Sequence, residues 1–248
     1  FRMGVSTISL GLGLGGGKSA TSSGRPAGGG AFTNQYSVSL DGSDDFIDVG
    51  TVSALNGSIS AVTISAWFKV SAFGDAVISG GSSGSDRFYL QIYDSTTIRY
   101  GSGEGFDDFT VPTLSTGTWY HVALIHNGTS AELYLNNSQS SSGSQVVESP
   151  TANYGSSFKI GSYFSGSNYF QGLLDEVAVF NSALSASNIT AIYNSGVPSN
   201  ISTLNPVGWW RMGDGTEAGS GTTVYDMSSN SNNGTLTNGP TFSTTVPS

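Results

Sequence analysis

The 248-residue sequence predicts an all-β protein, a two-sheet antiparallel jelly-roll sandwich with one short helix and an extended Gly-rich N-terminal arm. Three observations lead to this prediction. The chain has 35 Gly and only 10% charged residues, a composition that favours short strands and many turns over a helical bundle. Apolar and polar residues alternate with period two in several short segments. One segment near residue 190 carries the signals that begin and end a helix.

Composition also limits the classes of function. The sequence contains no Cys, which excludes disulfides, zinc–thiolate sites and cysteine nucleophiles. The formal net charge is −9, from 17 acidic and 8 basic residues. This balance argues against a nucleic-acid partner, because phosphates are bound by clustered Lys and Arg. No stretch approaches the roughly 18 apolar residues of a membrane span, so we expect no membrane insertion.

Residues 1–31 are predicted to form the extended arm. Ile8, Leu10, Leu12 and Leu14 alternate with Ser and Gly, so that one face of an extended segment is apolar and the other lets a second backbone approach closely. Addition of this strand to the sheet edge of another subunit would pair its backbone and bury its leucines. The alternative is an inert tail, which the composition also permits.

Residues 32–248 are predicted to form the sandwich. In the segment Val62–Val70, Ile64, Ala66 and Phe68 point one way while Trp67 points the other, the pattern of a half-buried strand. Asn127-Gly128, a dipeptide typical of hairpin turns, separates two further alternating segments.

The one predicted helix follows Ser185. Ser is a favoured N-cap residue, and Leu184 and Ile189 occupy the two positions of a hydrophobic staple. Gly196 lies where a left-handed C-cap is expected, and Pro198 stops any continuation. These signals predict about three turns, enough to close one end of a sandwich.

Several segments resemble the concanavalin A-like, laminin G-like family of jelly rolls. They are SVSLDGSDDFIDVG (37–50), ISAWFKV (64–70), GTWYHVALIHNGTSAELYLNN (117–137) and FKIGSYFSGSNYFQGLLDEVAVFNSALSASNITAIYNSG (158–196). The resemblance implies two antiparallel sheets, a short helix after the GLLDEVAVFN strand, and a role in binding or adhesion.

The tail resembles the opening strand and loop of the same family. Residues 208–240, beginning GWWRMGDG, match an element that usually precedes the LDGSDDFIDVG strand. We expect residues 206–240 to supply this strand and loop from the C-terminal side, as a circular permutation would. The alternative is the start of an unfinished second repeat, which would leave Trp209 and Trp210 without a core.

The carboxylates do not form the pair that a glycan hydrolase needs. Retaining glycosidases hold two carboxyl groups about 5–5.5 Å apart, a spacing that positions i and i+2 of one strand can provide, and no Glu has an acidic residue two positions away. Asp175 and Glu176 are adjacent and are expected on opposite faces of a strand. His121 and His126, five residues apart, are also expected on opposite faces. The sequence therefore predicts a protein that is not an enzyme.

Calcium is the one cofactor that the resemblance suggests. Asp41, Asp175 and Asp226 lie at motif positions where carboxylate oxygens could hold a structural calcium ion. Asx turns, in which the carboxylate accepts local backbone N–H groups, explain each residue equally well. In pentraxins, acidic calcium ligands directly follow the strand that is equivalent to the one ending here at Ile160-Gly161. The first of those positions is Ser162 in this sequence, so that calcium site is expected to be absent.

Aromatic residues suggest a glycan contact. Tyr89 and Tyr93 lie on the polar face of a predicted strand. A nearby loop is unusually aromatic and contains Tyr163, Phe164, Tyr169 and Phe170. Burial beneath a neighbouring loop or at a subunit contact is the alternative explanation.

Taken together, the arm and the lectin-like sandwich predict a virion structural protein, in the style of tailed-phage capsid decoration or tail proteins. On this hypothesis it lies on the particle surface, binds other virion subunits or itself through the arm, and contacts host-surface glycans. The alternative is a carbohydrate-binding module or adhesin domain of a bacterial protein that is secreted or displayed on the cell surface.

Overall fold

A computed structural model describes the chain from Phe32 to Ser248 with four short gaps. The described ranges are 32–57, 59–81, 86–128, 130–140 and 153–248. The predicted arm, with Ile8, Leu10, Leu12 and Leu14, lies outside the described residues. No helix in the described ranges is both long enough and apolar enough to cross a bilayer.

The regular structure of the described residues consists of sixteen strands, one α-helix and three short 3-10 helices at Ser53–Leu55, Asn194–Gly196 and Ser202–Leu204. The α-helix is α1 (Ala186–Tyr193). The strands are β1 (Ser37–Asp41), β2 (Phe46–Gly50), β3 (Val62–Val70), β4 (Asp75–Gly81), β5 (Arg87–Asp94), β6 (Thr97–Ser102), β7 (Gly105–Thr110), β8 (Tyr120–His126), β9 (Ala131–Leu135), β10 (Ser138–Gln139), β11 (Phe158–Ile160), β12 (Gln171–Phe180), β13 (Gly208–Trp210), β14 (Thr223–Val224), β15 (Gly234–Thr237) and β16 (Thr241–Ser243).

The strands form two antiparallel sheets that enclose one apolar core. Sheet A has the order β10–β9–β8–β3–β12–β1–β16, with β13 also paired to β12. Sheet B has the order β14–β15–β2–β11–β4–β5–β6–β7. The core between them includes Phe68 from sheet A and Phe88 and Phe158 from sheet B, all fully buried. The predicted all-β sandwich with one short helix is confirmed.

The central strands of sheet A, β3, β8 and β12, are buried on both of their faces. The alternation predicted in β3 is present, but the prediction that this strand is half exposed is wrong, because its outward residues are covered. Trp67 stacks on Tyr193 of α1 with ring centroids 5.8 Å apart. A second apolar cluster on this outer face includes Phe180, Ile189 and Trp209.

The helix begins as predicted and ends earlier. The Ser185 hydroxyl accepts the backbone N–H of Asn188, whose side chain in turn accepts the N–H of Ser185, a reciprocal capping box. The helix ends because Asn194 adopts the left-handed conformation, with φ of 45°. Asn tolerates this region better than most residues, so the helix has about two turns rather than three and stops before Gly196.

Residues of the tail pair with strands from elsewhere in the chain. In sheet A, β13 lies beside β12 and β16 lies beside β1. In sheet B, β15 pairs with β2. Trp209 and Trp210 of β13 are both buried, one in the outer cluster and the other in the central core.

The two histidines point to opposite faces of β8, as predicted. His121 lies under α1 and its Nε2 is 2.9 Å from the hydroxyl of Ser65. His126 points into the core, with its Nδ1 3.0 Å from the hydroxyl of Tyr100. Burial lowers the pKa of His121 to about 3 and that of His126 to about 4, so both imidazoles are neutral parts of the packing at neutral pH.

The prediction that Asp175 and Glu176 point to opposite faces is wrong because β12 contains a bulge at this position. Glu176 has φ of 46°, and the pairing with β3 shifts register between Asp175 and Ala178. The extra residue re-aims the chain, so both carboxylates lie on the outer face of sheet A. Glu176 accepts from Trp209 Nε1 at 2.6 Å and from Arg211 Nε at 2.8 Å.

This buried acidic cluster holds the first described residues against the sandwich. Asp175 accepts the amide of Asn34 at 2.9 Å, and Asp214 accepts the backbone N–H of Gln35 at 2.9 Å. Burial is the main reason that the pKa of Glu176 is raised to about 7, although Arg211 opposes the shift. Burial and the charge of Glu176 also raise the pKa of Asp175. Part of this cluster is therefore protonated in the folded protein at mildly acidic pH.

The raised pKa of Glu176 predicts a domain that loses stability as pH rises toward neutrality. Its usual value of 4.5 applies to the unfolded chain, so the folded protein holds an extra proton between about pH 4.5 and 7. The free energy of unfolding should therefore fall across this interval. Glu176→Gln cannot titrate and should flatten the slope, measured by urea unfolding at pH 5, 6, 7 and 8. Equal slopes for the wild type, Glu176→Gln and the exposed control Glu104→Gln would contradict this explanation.

Candidate functional site

The outer face of sheet B carries a patch with aromatic side chains from β5 and β7 on either side of Arg99 of β6. Because side chains alternate along β5, Phe88, Leu90 and Ile92 fill the core while Tyr89 and Tyr93 point outward. We call the patch the aromatic face; it consists of Tyr89, Tyr93, Arg99, Phe106, Tyr163 and Phe164.

Arg99 lies at the centre of the aromatic face. Its guanidinium carbon is 3.9 Å from the centre of the Tyr93 ring and 4.2 Å from that of Phe106, within cation–π range of both. Asp108 is the direct cross-strand neighbour of Arg99 and accepts from Nε at 2.7 Å and from Nη2 at 2.8 Å. This bidentate pair fixes the guanidinium plane, and through it the positions of the two rings.

The two rings beside Arg99 stay open to solvent despite these contacts. Tyr93 is 43% exposed and Phe106 is 37% exposed. Exposed aromatic rings that are already ordered lose little conformational freedom when they bind a partner. The two rings are therefore ordered and available for contact with a partner.

Tyr89 forms the floor next to this pair, and the 161–170 loop forms one wall. The Tyr89 ring lies so close over Gly101 that any side chain at Gly101 would overlap it. Tyr163 meets Tyr89 edge-on with centroids 5.0 Å apart, and Phe164 follows at 4.3 Å from Tyr163. The loop is tied to the sheet by Ser79, whose hydroxyl donates to a backbone carbonyl of the loop at 2.8 Å.

Of the four loop aromatics predicted to contact glycan, Tyr163 and Phe164 lie on the aromatic face. Tyr169 packs instead toward Phe46 of β2, with centroids 6.4 Å apart. Phe170 is fully buried in the central core, so its prediction as a glycan contact is corrected: the chain turns inward after Tyr169 to begin β12.

Arg99, Phe106 and Asp108 were not predicted from the sequence. The alternation within TIRYGS and GFDDFT could have placed them on the outer face of two neighbouring strands. The sequence gives no register between those strands, however, and register is what makes Arg99 and Asp108 partners.

The three aspartates predicted to hold calcium do not lie together. Asp226 is saturated: its carboxylate accepts the backbone N–H groups of Trp209, Ser228 and Asn232, the Ser228 hydroxyl and the Asn232 amide, all within 3.0 Å. The turn interpretation therefore holds for Asp226, and its assignment as a metal ligand is corrected. Asp175 belongs to the buried cluster with Asn34 and Glu176.

Asp41 lies beside two other acids in the turn between β1 and β2. Within the described part of the chain, one group of three potential metal ligands has its ligand atoms within 4.8 Å of one another. It consists of Asp41, Asp44 and Asp45, each of which offers one carboxylate oxygen. Asp41 also forms an Asx turn, accepting the backbone N–H of Ser43 at 2.8 Å. Calcium binding at Asp41 stays a prediction.

The aromatic face can stack flat apolar surfaces while its edges form hydrogen bonds. Burial raises the pKa of Tyr89 and of Tyr163, so both phenols remain protonated and able to donate. Apolar planes bordered by a few oriented polar groups are typical of sites that bind small organic rings.

Comparisons with known proteins agree with this architecture. A family model described as the concanavalin A-like lectin/glucanases superfamily matches residues 41–190. A search of curated proteins finds no match. A Bacteroides ovatus protein proposed to bind carbohydrate is 20% identical with a TM-score of 0.62, covering 87% of this chain. A heptameric SAP-like pentraxin from Limulus polyphemus is 14% identical with a TM-score of 0.55, covering 86% of this chain and 96% of its own.

The two structures share the fold of this chain. At 20% and 14% identity, the similarity shows the fold alone. The alignment covers only 62% of the length of the Bacteroides protein.

Gly101→Ala should displace the floor of the aromatic face. The added methyl group overlaps the Tyr89 ring, and such overpacking typically costs about 1–3 kcal/mol of stability. We expect a lower urea midpoint and a changed near-ultraviolet circular dichroism spectrum, because Tyr89 and Tyr163 lose their edge-on contact. Thr110→Ala, an exposed position on β7, is the control. A spectrum and midpoint identical to those of the wild type would show that Tyr89 does not rest on Gly101.

Proposed function

The chain belongs to the concanavalin A-like lectin/glucanases superfamily, and from this we propose that it is a carbohydrate-binding module that stacks sugar rings on its aromatic face. The observation that carries the proposal is the pair of solvent-open rings, Tyr93 and Phe106, held in place by Arg99. Large aromatic groups exposed together on a folded surface are typical of binding sites.

The two open rings are positioned by regular structure. Tyr93 and Phe106 come from β5 and β7, the two strands on either side of Arg99 on β6. All three strands belong to one sheet, so the platform is positioned by backbone pairing rather than by a mobile loop. Sites built on strands hold their geometry more accurately than sites built on loops.

We propose binding without hydrolysis. Glycosidases work with two carboxyl groups, about 5–5.5 Å apart when retaining and 6.5–9.5 Å apart when inverting. Asp108 lies beside Arg99 on the aromatic face, and both of its oxygens are held by that residue. A carboxylate tied in this way is poorly suited to act as a nucleophile or a general base.

The proposed partner is therefore a glycan, and the proposed setting is outside the cell, secreted or on a cell surface. The predicted virion role is not adopted. It depends on residues 1–31, which lie outside the described residues, while the family relationship favours glycan binding.

Removing either open ring should weaken glycan binding. For the ligand that binds best on a glycan array, Tyr93→Ala and Phe106→Ala should each raise Kd about tenfold or more, equivalent to about 1.4 kcal/mol. Thermal stability should change little because both rings are partly exposed. Tyr225→Ala is the matched control: Tyr225 is 36% exposed and follows β14, at the opposite edge of sheet B from β7.

Two results would count against the proposal in different ways. If the wild type binds nothing on the array, glycan binding itself is wrong. If it binds but the two variants and the Tyr225→Ala control keep the wild-type Kd, the glycan site lies elsewhere on the domain.

A further inference from the structure

We propose that the aromatic face selects uncharged glycans and that Asp108 sets this selectivity by neutralising Arg99. The inference rests on the proposed function and narrows it to a class of ligand. The ligands it predicts are oligosaccharides that lack carboxylate, sulfate and phosphate groups on the stacked rings.

The argument begins with the cation at the centre of the face. Arg99 alone would attract anionic sugars, because a guanidinium binds carboxylate, sulfate and phosphate oxygens in pairs. Asp108 already occupies one such position, the edge formed by Nε and Nη2, with two hydrogen bonds of 2.7 and 2.8 Å. The side chain of Arg99 is only 19% exposed and that of Asp108 is 35% exposed, so the two charges largely cancel at the surface that a ligand meets.

The faces of the guanidinium are also occupied. Tyr93 and Phe106 approach its carbon at 3.9 and 4.2 Å. With the Nε–Nη2 edge held by Asp108, an incoming anion is left with the Nη1 side of a guanidinium whose charge Asp108 already balances. It would also meet the negative charge of Asp108 in a half-buried setting, where repulsion is stronger than in bulk water.

The other cations on the outer face of sheet B have partners too. Arg87 donates from Nε to the Gly103 carbonyl at 2.9 Å and also hydrogen-bonds Tyr163. Lys159 lies 4.7 Å from the centre of the Phe46 ring and is the cross-strand neighbour of Asp48. The partners of Arg87 are neutral groups, so its charge remains at the Tyr89 edge of the aromatic face, and the proposed selectivity concerns the pair of rings around Arg99. Lys159 is on β11, three strands from β6 in sheet B.

An uncharged sugar ring avoids these costs. It needs only the open faces of Tyr93 and Phe106 and leaves the ion pair intact. Asp108 is on this view a specificity residue that acts against anionic ligands, a repulsive element of the kind that specific sites use alongside their attractive contacts.

The test compares matched neutral and acidic glycans. A printed array should carry neutral oligosaccharides beside sialylated, uronate-containing and sulfated forms of the same chains. The wild type should favour the neutral members at least tenfold. Asp108→Asn keeps the size of the side chain and removes its charge, so it should raise the ratio of acidic to neutral affinity at least tenfold. The double variant Asp108→Asn, Arg99→Gln should lose that gain.

Asp48→Asn is the matched control. It removes one carboxylate from the same face of the same sheet, so it changes the net charge equally, but it lies beside Lys159 rather than Arg99. The ratio of acidic to neutral affinity should stay at the wild-type value. An equal gain in Asp48→Asn would attribute the effect to net charge and overturn the role of Asp108.

The salt dependence of the wild type gives a second measurement that needs no variant. Binding of a neutral ligand without charge pairing should change less than twofold in Kd between 50 and 500 mM NaCl, since salt screens only charge interactions. A wild type that prefers the acidic members, or that loses affinity tenfold with salt, would overturn the selectivity while leaving glycan binding intact. A wild type that binds no glycan would overturn the proposed function and this inference with it.

Discussion

Burial of the central strands of sheet A on both faces is the constraint on which the location of the proposed binding surface depends. The outer face of sheet A carries Trp67, Phe180 and Trp209, and the helix α1 covers it together with residues of the tail. These large apolar side chains must be shielded from water for the sandwich to be stable. The outer face of sheet B remains open at Tyr93 and Phe106, so the proposed binding surface lies on the sheet that the helix does not cover.

Only 10% of the residues are charged, and two of the arginines order neighbouring parts of the structure. On sheet A, Arg211 lies among buried acids and helps to hold residues 33–36. On sheet B, Arg99 and Asp108 order two exposed rings. The first arrangement leaves carboxyl groups with raised pKa values, whereas the second presents a nearly neutral surface.

Local pattern predicted most of the fold and only part of the site. The alternation in β3 and the capping residue Ser185 are properties of short segments, so the sequence alone predicts the strand and the start of the helix. Phe170 was misplaced because a loop aromatic and a core aromatic look alike until the chain path is known. Glu176 was misplaced because nothing in its neighbours marks a bulge with a left-handed residue. The pairing of Arg99 with Asp108 depends on cross-strand register, which composition does not encode.

The most direct test of the central claim is a map of where a glycan contacts the 248-residue protein. Aromatic and arginine Nε resonances would be followed by NMR while the best array ligand is titrated in. We expect the largest shifts at Tyr93, Phe106 and Arg99, with smaller shifts at Tyr89 and little change at Trp67 under α1. Shifts that cluster instead around Asp41–Asp45 or around α1, with Tyr93 and Phe106 unchanged, would show that the aromatic face is not the glycan site.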